Sequence, residues 1–233
     1  MDSPETSDAT APTGLVELLV RFPPQRFDRG ATIIVNTRHQ EPAGEGNLAY
    51  VLEGLVRGAW HGPFIAPEHR ATTIVAGDGR WVGADAFKYG ANLYRYDALT
   101  PTTAAVVPLT YLENEAPRAI LLDALRCVSI DWCTAASVLG LGSHTLRRRT
   151  LLLLYNLARL HPRPELEVRQ QDVAELLGVA RQSLQPVLKR LEREGLVAIG
   201  YGEIVVGDSE ALLANLREPS QRVRTRAAER PKD

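Results

Sequence analysis

Arg181, Gln182, Gln185 and Lys189 share one face of a helical repeat, and Leu184, Val187, Leu188 and Leu191 share the other. The polar face offers a forked guanidinium and two amides. These are the groups that make paired hydrogen bonds to the major-groove edges of guanine and adenine. The apolar spacing predicts an amphipathic helix from about Arg181 to Glu194, ended by Gly195. A first helix is predicted over Gln170–Leu177, where Val173, Leu176 and Leu177 form its stripe and Gly178 stops it. Gly200-Tyr201-Gly202 reads as a hairpin tip and Ile204-Val205-Val206 as the returning strand. Two helices across a three-residue turn, followed by a β-wing, make Val168–Val206 a candidate DNA reader. A generic helical hairpin with a solvated polar face would lack that combination.

The remaining chain must position this unit. It has 233 residues, 45% hydrophobic and 24% charged, which suits one large domain or two small ones. No apolar run approaches the roughly 20 residues that span a bilayer. The N-terminus, MDSPETSDATAPTG, is polar and acidic without an apolar signal core, so a cytoplasmic protein with no membrane partner is expected. Cys127 and Cys133 make no disulfide framework and no zinc spacing; they read as small helix residues, with a thiol sensor as the minor alternative. No metal site is expected. Charge is uneven: residues 1–144 hold 11 Lys/Arg against 16 Asp/Glu, and residues 145–233 hold 16 against 12. A basic half behind an acidic one fits a phosphate-contacting domain attached to a regulatory one.

Residues 1–13 read as disordered. From Gly14 to Tyr111 short strands punctuated by glycine follow one another: Ala31–Val35, Leu48–Leu52, Leu55–Trp60, Ala71–Ala76, Trp81-Val82 and Thr102–Leu109. This spacing suggests an antiparallel barrel or sandwich of Greek-key or jelly-roll type, able to hold one small ligand. Residues 112–139 then lack glycine. The stretch from Ala116, with Pro117 in its first turn and Ile120, Leu121, Ala124, Val128, Ile130 and Leu139 as apolar positions, predicts a helix of ~24 residues and ~36 Å. So long an apolar helix is best accounted for by packing against its own copy across a two-fold axis. Gly140 and Gly142, within 140–144, form a candidate hinge. An apolar helix from His144, carrying Arg147, Arg148 and Arg149, would brace the reader within 145–216. Those arginines could touch phosphate or simply form a solvated face. Residues 217–233, with five arginines and one lysine, read as a flexible basic tail.

This order of parts resembles the cyclic AMP receptor protein and fumarate–nitrate reductase regulator (Crp/Fnr) superfamily. The resemblance covers about residues 14–213. It is most specific in GVARQSLQPVLKRLEREGLV, and Tyr50-Val-Leu-Glu-Gly54 is similar to the family's second β-roll hairpin. It implies an α+β fold: an N-terminal cyclic-nucleotide-binding-like β-roll (a double-stranded β-helix or jelly roll), a long dimerisation helix and a C-terminal winged helix-turn-helix. It also implies a homodimeric transcription regulator, not an enzyme, that binds a two-fold symmetric duplex DNA site and works with RNA polymerase. By position, Arg181 would read guanine. Gln182 stands where a cytosine-reading glutamate is usual, so an adenine preference is expected there. Pro186 replaces a common second arginine and tends to kink a helix; Gln185 is expected to take over part of the readout. Gln171 and Ser183 match phosphate-contacting positions, Lys189 is assigned to phosphate, and the wing lacks a basic residue.

The effector region departs from the pattern. The resemblance calls for a glutamate after Gly83 and an arginine followed by Ser or Thr, but Ala84 holds the glutamate position and Tyr96 follows Arg95. Alanine cannot accept a ribose hydroxyl, so cyclic AMP control in the usual way is not expected, although Asp85 could substitute in part. Gly83, Ala84, Asp85, Tyr94, Arg95 and Tyr96 remain the candidate pocket for a small-molecule effector of unassigned identity, with Tyr89 a further aromatic nearby. Two cysteines are too few for an iron–sulfur cluster. Haem would need one of His39, His61 or His69, and a lone histidine is more often a loop residue. No cofactor is therefore assigned, and regulation without an effector stays open. The second functional reading is a ligand sensor whose winged helix docks a protein partner. No catalytic triad, carboxylate pair or phosphate-cradling loop stands out.

Overall fold

A computed structural model describes residues 14–35, 45–60, 71–127, 145–163 and 165–217. Several sequence expectations lie outside those residues: the disordered start 1–13, His39, His61 and His69, the helix beyond residue 127 with Cys133, the glycines 140 and 142, and the tail beyond residue 217.

The first element is a helix, α1 (Leu15–Arg21), where short strands were expected from Gly14 onward. Leu15 and Leu18 are buried three residues apart, while Val16 and Val20 point outward. Seven residues are too few for period to separate helix from strand, so tertiary packing decides. Arg21 secures the helix from its end: its guanidinium lies 4.5 Å from the Tyr111 ring centre and pairs with Glu115 at 2.7 Å.

Eight strands follow: β1 (Gln25–Phe27), β2 (Thr32–Ile34), β3 (Asn47–Glu53), β4 (Val56–Trp60), β5 (Ala71–Ala76), β6 (Arg80–Val82), β7 (Tyr94–Ala98) and β8 (Thr102–Pro108). They form two four-stranded sheets, ordered β1-β8-β3-β6 and β2-β7-β4-β5, and every pairing is antiparallel. This is the double-sheet roll. Strand β7 was not expected as a strand. The two sheets face each other across Ile34, Ala49, Val51, Val56, Ala76, Val82, Tyr96 and Ala104.

The alternate residues of the first sheet, Leu48, Tyr50, Trp81 and Val107, point the other way. They are covered by Leu18 of α1, Leu112 of α3 (Leu109–Asn114), and Ile120, Ala124 and Cys127 of α4, helical over 118–127. Side chains of period two therefore meet apolar layers on both faces, which is why β3 reads as a nearly continuous apolar run. The helical conformation is interrupted between α3 and α4 at residues 115–117, so the helix predicted from Ala116 begins just beyond Pro117. Among the described residues, no helix is long and apolar enough to cross a membrane, and no group of three or more His, Cys, Asp or Glu could hold a metal ion.

The C-terminal unit contains α5 (Leu146–Leu160), β9 (Leu166–Arg169), α6 (Gln170–Leu177), α7 (Arg181–Arg193), β10 (Ala198–Ile199), β11 (Glu203–Val206) and α8 (Ser209–Arg217). Its strands form one antiparallel sheet ordered β10-β11-β9. Its core joins Leu154 and Leu157 of α5 to Val173, Leu177, Leu184, Leu188, Leu191, Ile204 and Leu212. Leu55 and Leu99 of the roll belong to the same cluster. The two units are thus continuous through apolar contact as well as through the chain.

Candidate nucleic-acid interface

Helices α6 and α7 are set by local chemistry. Gly178 ends α6 with φ +65°, and its N–H turns back onto the carbonyls of Ala174 and Glu175. A residue with a Cβ would be strained in that left-handed conformation. Three residues later α7 begins. It buries Leu184, Leu188 and Leu191 and exposes Arg181, Gln182, Ser183, Pro186 and Lys189. Helix α7 runs unbroken from Arg181 to Arg193 through Pro186.

The polar residues do not all sit alike. Gln182, Ser183 and Lys189 are exposed. Gln171 is exposed on α6 and donates to Glu175 at 3.0 Å. Gln185 is half-buried, and its amide donates to the Oε1 of Gln170. Arg181 donates to the same oxygen at 3.4 Å. Gln170 is 3% exposed at the first position of α6. Its Nε2 faces the Glu203 carbonyl at 3.4 Å and its backbone N–H donates to the Gly202 carbonyl at 2.8 Å. The wing and the two helices therefore meet at Gln170. Sequence reasoning missed this residue. The available signal was a glutamine on the apolar stripe, three, four and seven residues before Val173, Ala174 and Leu177.

Behind α6 the contacts run to the roll. Arg57 of β4 donates to Asp172 at 3.1 Å and to Glu175 at 2.7 Å. Burial pushes the Asp172 carboxyl above its ordinary range; Arg57 offsets this only in part, and the Glu175 charge adds to it. Arg29 pairs with Glu203 on the wing. Glu203 thus meets an arginine from the roll at the wing where no basic residue was found.

The Arg147–Arg149 run is largely occupied within the protein. Arg147 bonds Glu194 and Asn215, and Arg149 donates to the Leu177 carbonyl. Burial would raise the Glu194 carboxyl, but its hydrogen bonds and charge contacts with Arg147 and Arg190 together hold it below the usual range. Through Arg147 and Arg149, α5 is braced against the ends of α6 and α7.

The effector candidates gather on one side of the roll. Gly83 leads through Ala84 and Asp85 into the four-residue helix α2 (Ala86–Tyr89), and β7 carries Tyr94, Arg95 and Tyr96. Asp85 accepts from the backbone N–H groups of Leu93 and Tyr94 and from the Tyr96 hydroxyl at 2.8 Å. Burial raises the Asp85 carboxyl despite these donors, and it raises the Tyr96 hydroxyl well above its usual value. Arg95 turns onto its own strand and donates to Asp97 at 3.0 and 2.7 Å; Asp97 also accepts from Thr32 at 2.8 Å. Ala84 packs at the margin of the outer apolar layer. Tyr94 and Tyr96 lie 6.2 Å apart between ring centres, while Tyr89 is exposed on α2.

A double-sheet roll joined to a winged helix-turn-helix defines the architecture of this chain. Residues 148–214 match the Crp-like helix-turn-helix domain. Among solved structures, a Crp/Fnr-family transcriptional regulator from Thermus thermophilus is 23% identical, with 84% of this chain and 100% of that chain covered at a TM-score of 0.64. FixK2 from Bradyrhizobium japonicum is 17% identical over 84% of this chain and 98% of its own, also at 0.64. The c-di-GMP-responsive global regulator CLP of Xanthomonas campestris is 18% identical over 84% and 99%, at 0.59. No curated protein matches the chain by sequence. Residues 148–214 thus carry a Crp-like helix-turn-helix domain, and the chain shares its fold with these solved Crp/Fnr-family regulators.

Proposed function

We propose that the protein is a homodimer that binds a two-fold symmetric duplex DNA site, with α7 of each copy in the major groove. The observation that carries this reading is the N-terminal turn of α7. Arg181, Gln182 and Ser183 stand exposed there on a helix whose opposite side is fixed by Leu184, Leu188 and Leu191. Arg181 serves guanine, Gln182 adenine, and Gln185 a neighbouring base. Gln171, Ser183 and Lys189 serve phosphate. Dimerisation is supported by α4, which buries Ile120, Ala124 and Cys127 on the roll while Leu122 and Leu125 remain 41% and 44% exposed on its other side. The regulator works with RNA polymerase in the cytoplasm.

The roll is not controlled by cyclic AMP in the usual way. A cyclic phosphate needs an unspent cation, yet Arg95 faces Asp97 and the nearby carboxylate is Asp85. A small neutral or cationic effector suits this side of the roll better than an anion.

Binding to a site selected from randomised duplexes tests the reading. Arg181→Ala is expected to cost about 1–3 kcal/mol on the selected site and little on unrelated DNA. A variant that binds the selected site as tightly as the parent would overturn the assignment of α7. A protein partner captured in place of DNA would favour the docking alternative.

A further inference from the structure

Gln170 has an unusual position for an amide. It is nearly fully buried at the start of α6, on the stripe that otherwise holds Val173, Ala174 and Leu177. Burying an amide carries a desolvation cost unless its groups are bonded, and an apolar residue would fill this place without that cost. The bonds that Gln170 makes explain its presence. Its one carbonyl oxygen accepts from both Arg181 and Gln185, and its nitrogen faces the wing at Glu203.

We infer that Gln170 is a positioning residue for sequence readout, orienting the Arg181 guanidinium and the Gln185 amide for base edges and tying both to the wing. This rests on the DNA-reading role of α7 proposed above. Arginine has five N–H donors, so one given to Gln170 leaves a pair for the two acceptors of guanine. An amide has two N–H groups. With one given to Gln170, the other and its neighbouring oxygen are the pair that a bidentate adenine contact uses. Long side chains lose rotamer freedom on binding, and that cost falls when they are already held. Gln170 lies behind α7 and touches no base itself. Its effect is therefore on discrimination between sequences, while attraction to phosphate belongs to other residues.

The test measures binding of the full-length protein to its selected duplex and to variants with single bases changed. The base read by Arg181 is identified as the one whose preference vanishes in Arg181→Ala. Gln170→Met keeps length and volume but accepts no such hydrogen bond. It is expected to lower the preference for that base by about tenfold, within the range of one lost bidentate contact, with binding to unrelated DNA and its salt dependence unchanged. Gln170→Glu retains the accepting oxygen and is expected to restore the base preference, even with weaker overall binding from its added charge. If Gln170→Met keeps the parent's preference, or weakens selected and unrelated DNA equally, the positioning role is wrong. If the parent itself selects no sequence, the DNA-reading role falls, and this inference with it.

Discussion

Arg57 and Asp172, 115 residues apart in sequence, are joined by a hydrogen bond of 3.1 Å that ties the roll to the first helix of the reader. Their side chains are 11% and 12% exposed. Glu175 shares the guanidinium, and a second tie runs from Arg29 to Glu203. The face of α6 turned from α7 is therefore held by the roll, so movement of the winged helix-turn-helix relative to the roll must break buried charge contacts. Removing one partner of such a pair strands the other charge. Arg57→Met is expected to cost about 2–4 kcal/mol at neutral pH, read by chemical denaturation. The loss should shrink in mild acid, because the stranded Asp172 already favours protonation. An unchanged denaturation midpoint would show that the pair does not hold the domains together.

Gly77 provides a second test of the same docking. A Cβ placed on it would stand 1.8 Å from the Leu160 carbonyl oxygen at the end of α5. The next residue donates its N–H to that oxygen at 2.9 Å, and the Asp78 carboxylate faces Nδ1 of His161 at 2.9 Å. Gly77→Ala should push α5 off the β5–β6 turn and cost about 1–3 kcal/mol or more. Proteolysis between the units, compared with the parent, would report the loosening. Equal cleavage rates would count against it.

Acid should affect the loop at Asp85 in a defined direction. Burial raises its carboxyl in the folded protein above the ordinary 3.8. The folded state then holds a proton more tightly than the unfolded chain. The stability from this linkage is complete below about 3.8 and is lost as pH rises through the higher folded value. Asp85→Asn cannot titrate, so the gap, taken as the parent's stability minus the variant's, should be larger near pH 4 than at pH 7. A gap that narrows on acidification would mean that the hydrogen bonds from Leu93, Tyr94 and Tyr96 outweigh burial.

Much of the reader was legible because its signals are local. The stripes over 170–177 and 181–194, the glycine at 178 and the hairpin tip at 200–202 each follow from neighbours within a few residues. The helices are found at Gln170–Leu177 and Arg181–Arg193. The roll was legible as a class, through strand spacing, but not in detail. Helix α1 was read as part of the strand region and β7 was not recognised. In both, the burial that selects the conformation comes from distant residues, such as Ile120 beneath α1 and Thr32 and Ile34 beside β7.

Residue types and their spacing alone determined that this chain carries a winged helix-turn-helix with Arg181 and Gln182 on its outer face behind a region of short strands; that Ala84 departs from the cyclic-nucleotide pattern is what the resemblance implies. Period and turn chemistry need no distant partner. Only the tertiary structure decided where the polar groups are spent: Arg57 on Asp172 and Glu175, Arg149 on the Leu177 carbonyl, Arg95 on Asp97, and the Gln170 amide beneath Arg181 and Gln185. An arginine on an exposed helix face and one locked into a domain contact have the same side chain. What separates them is which acceptor the fold brings within about 3 Å, and that is set by packing between segments far apart in the chain.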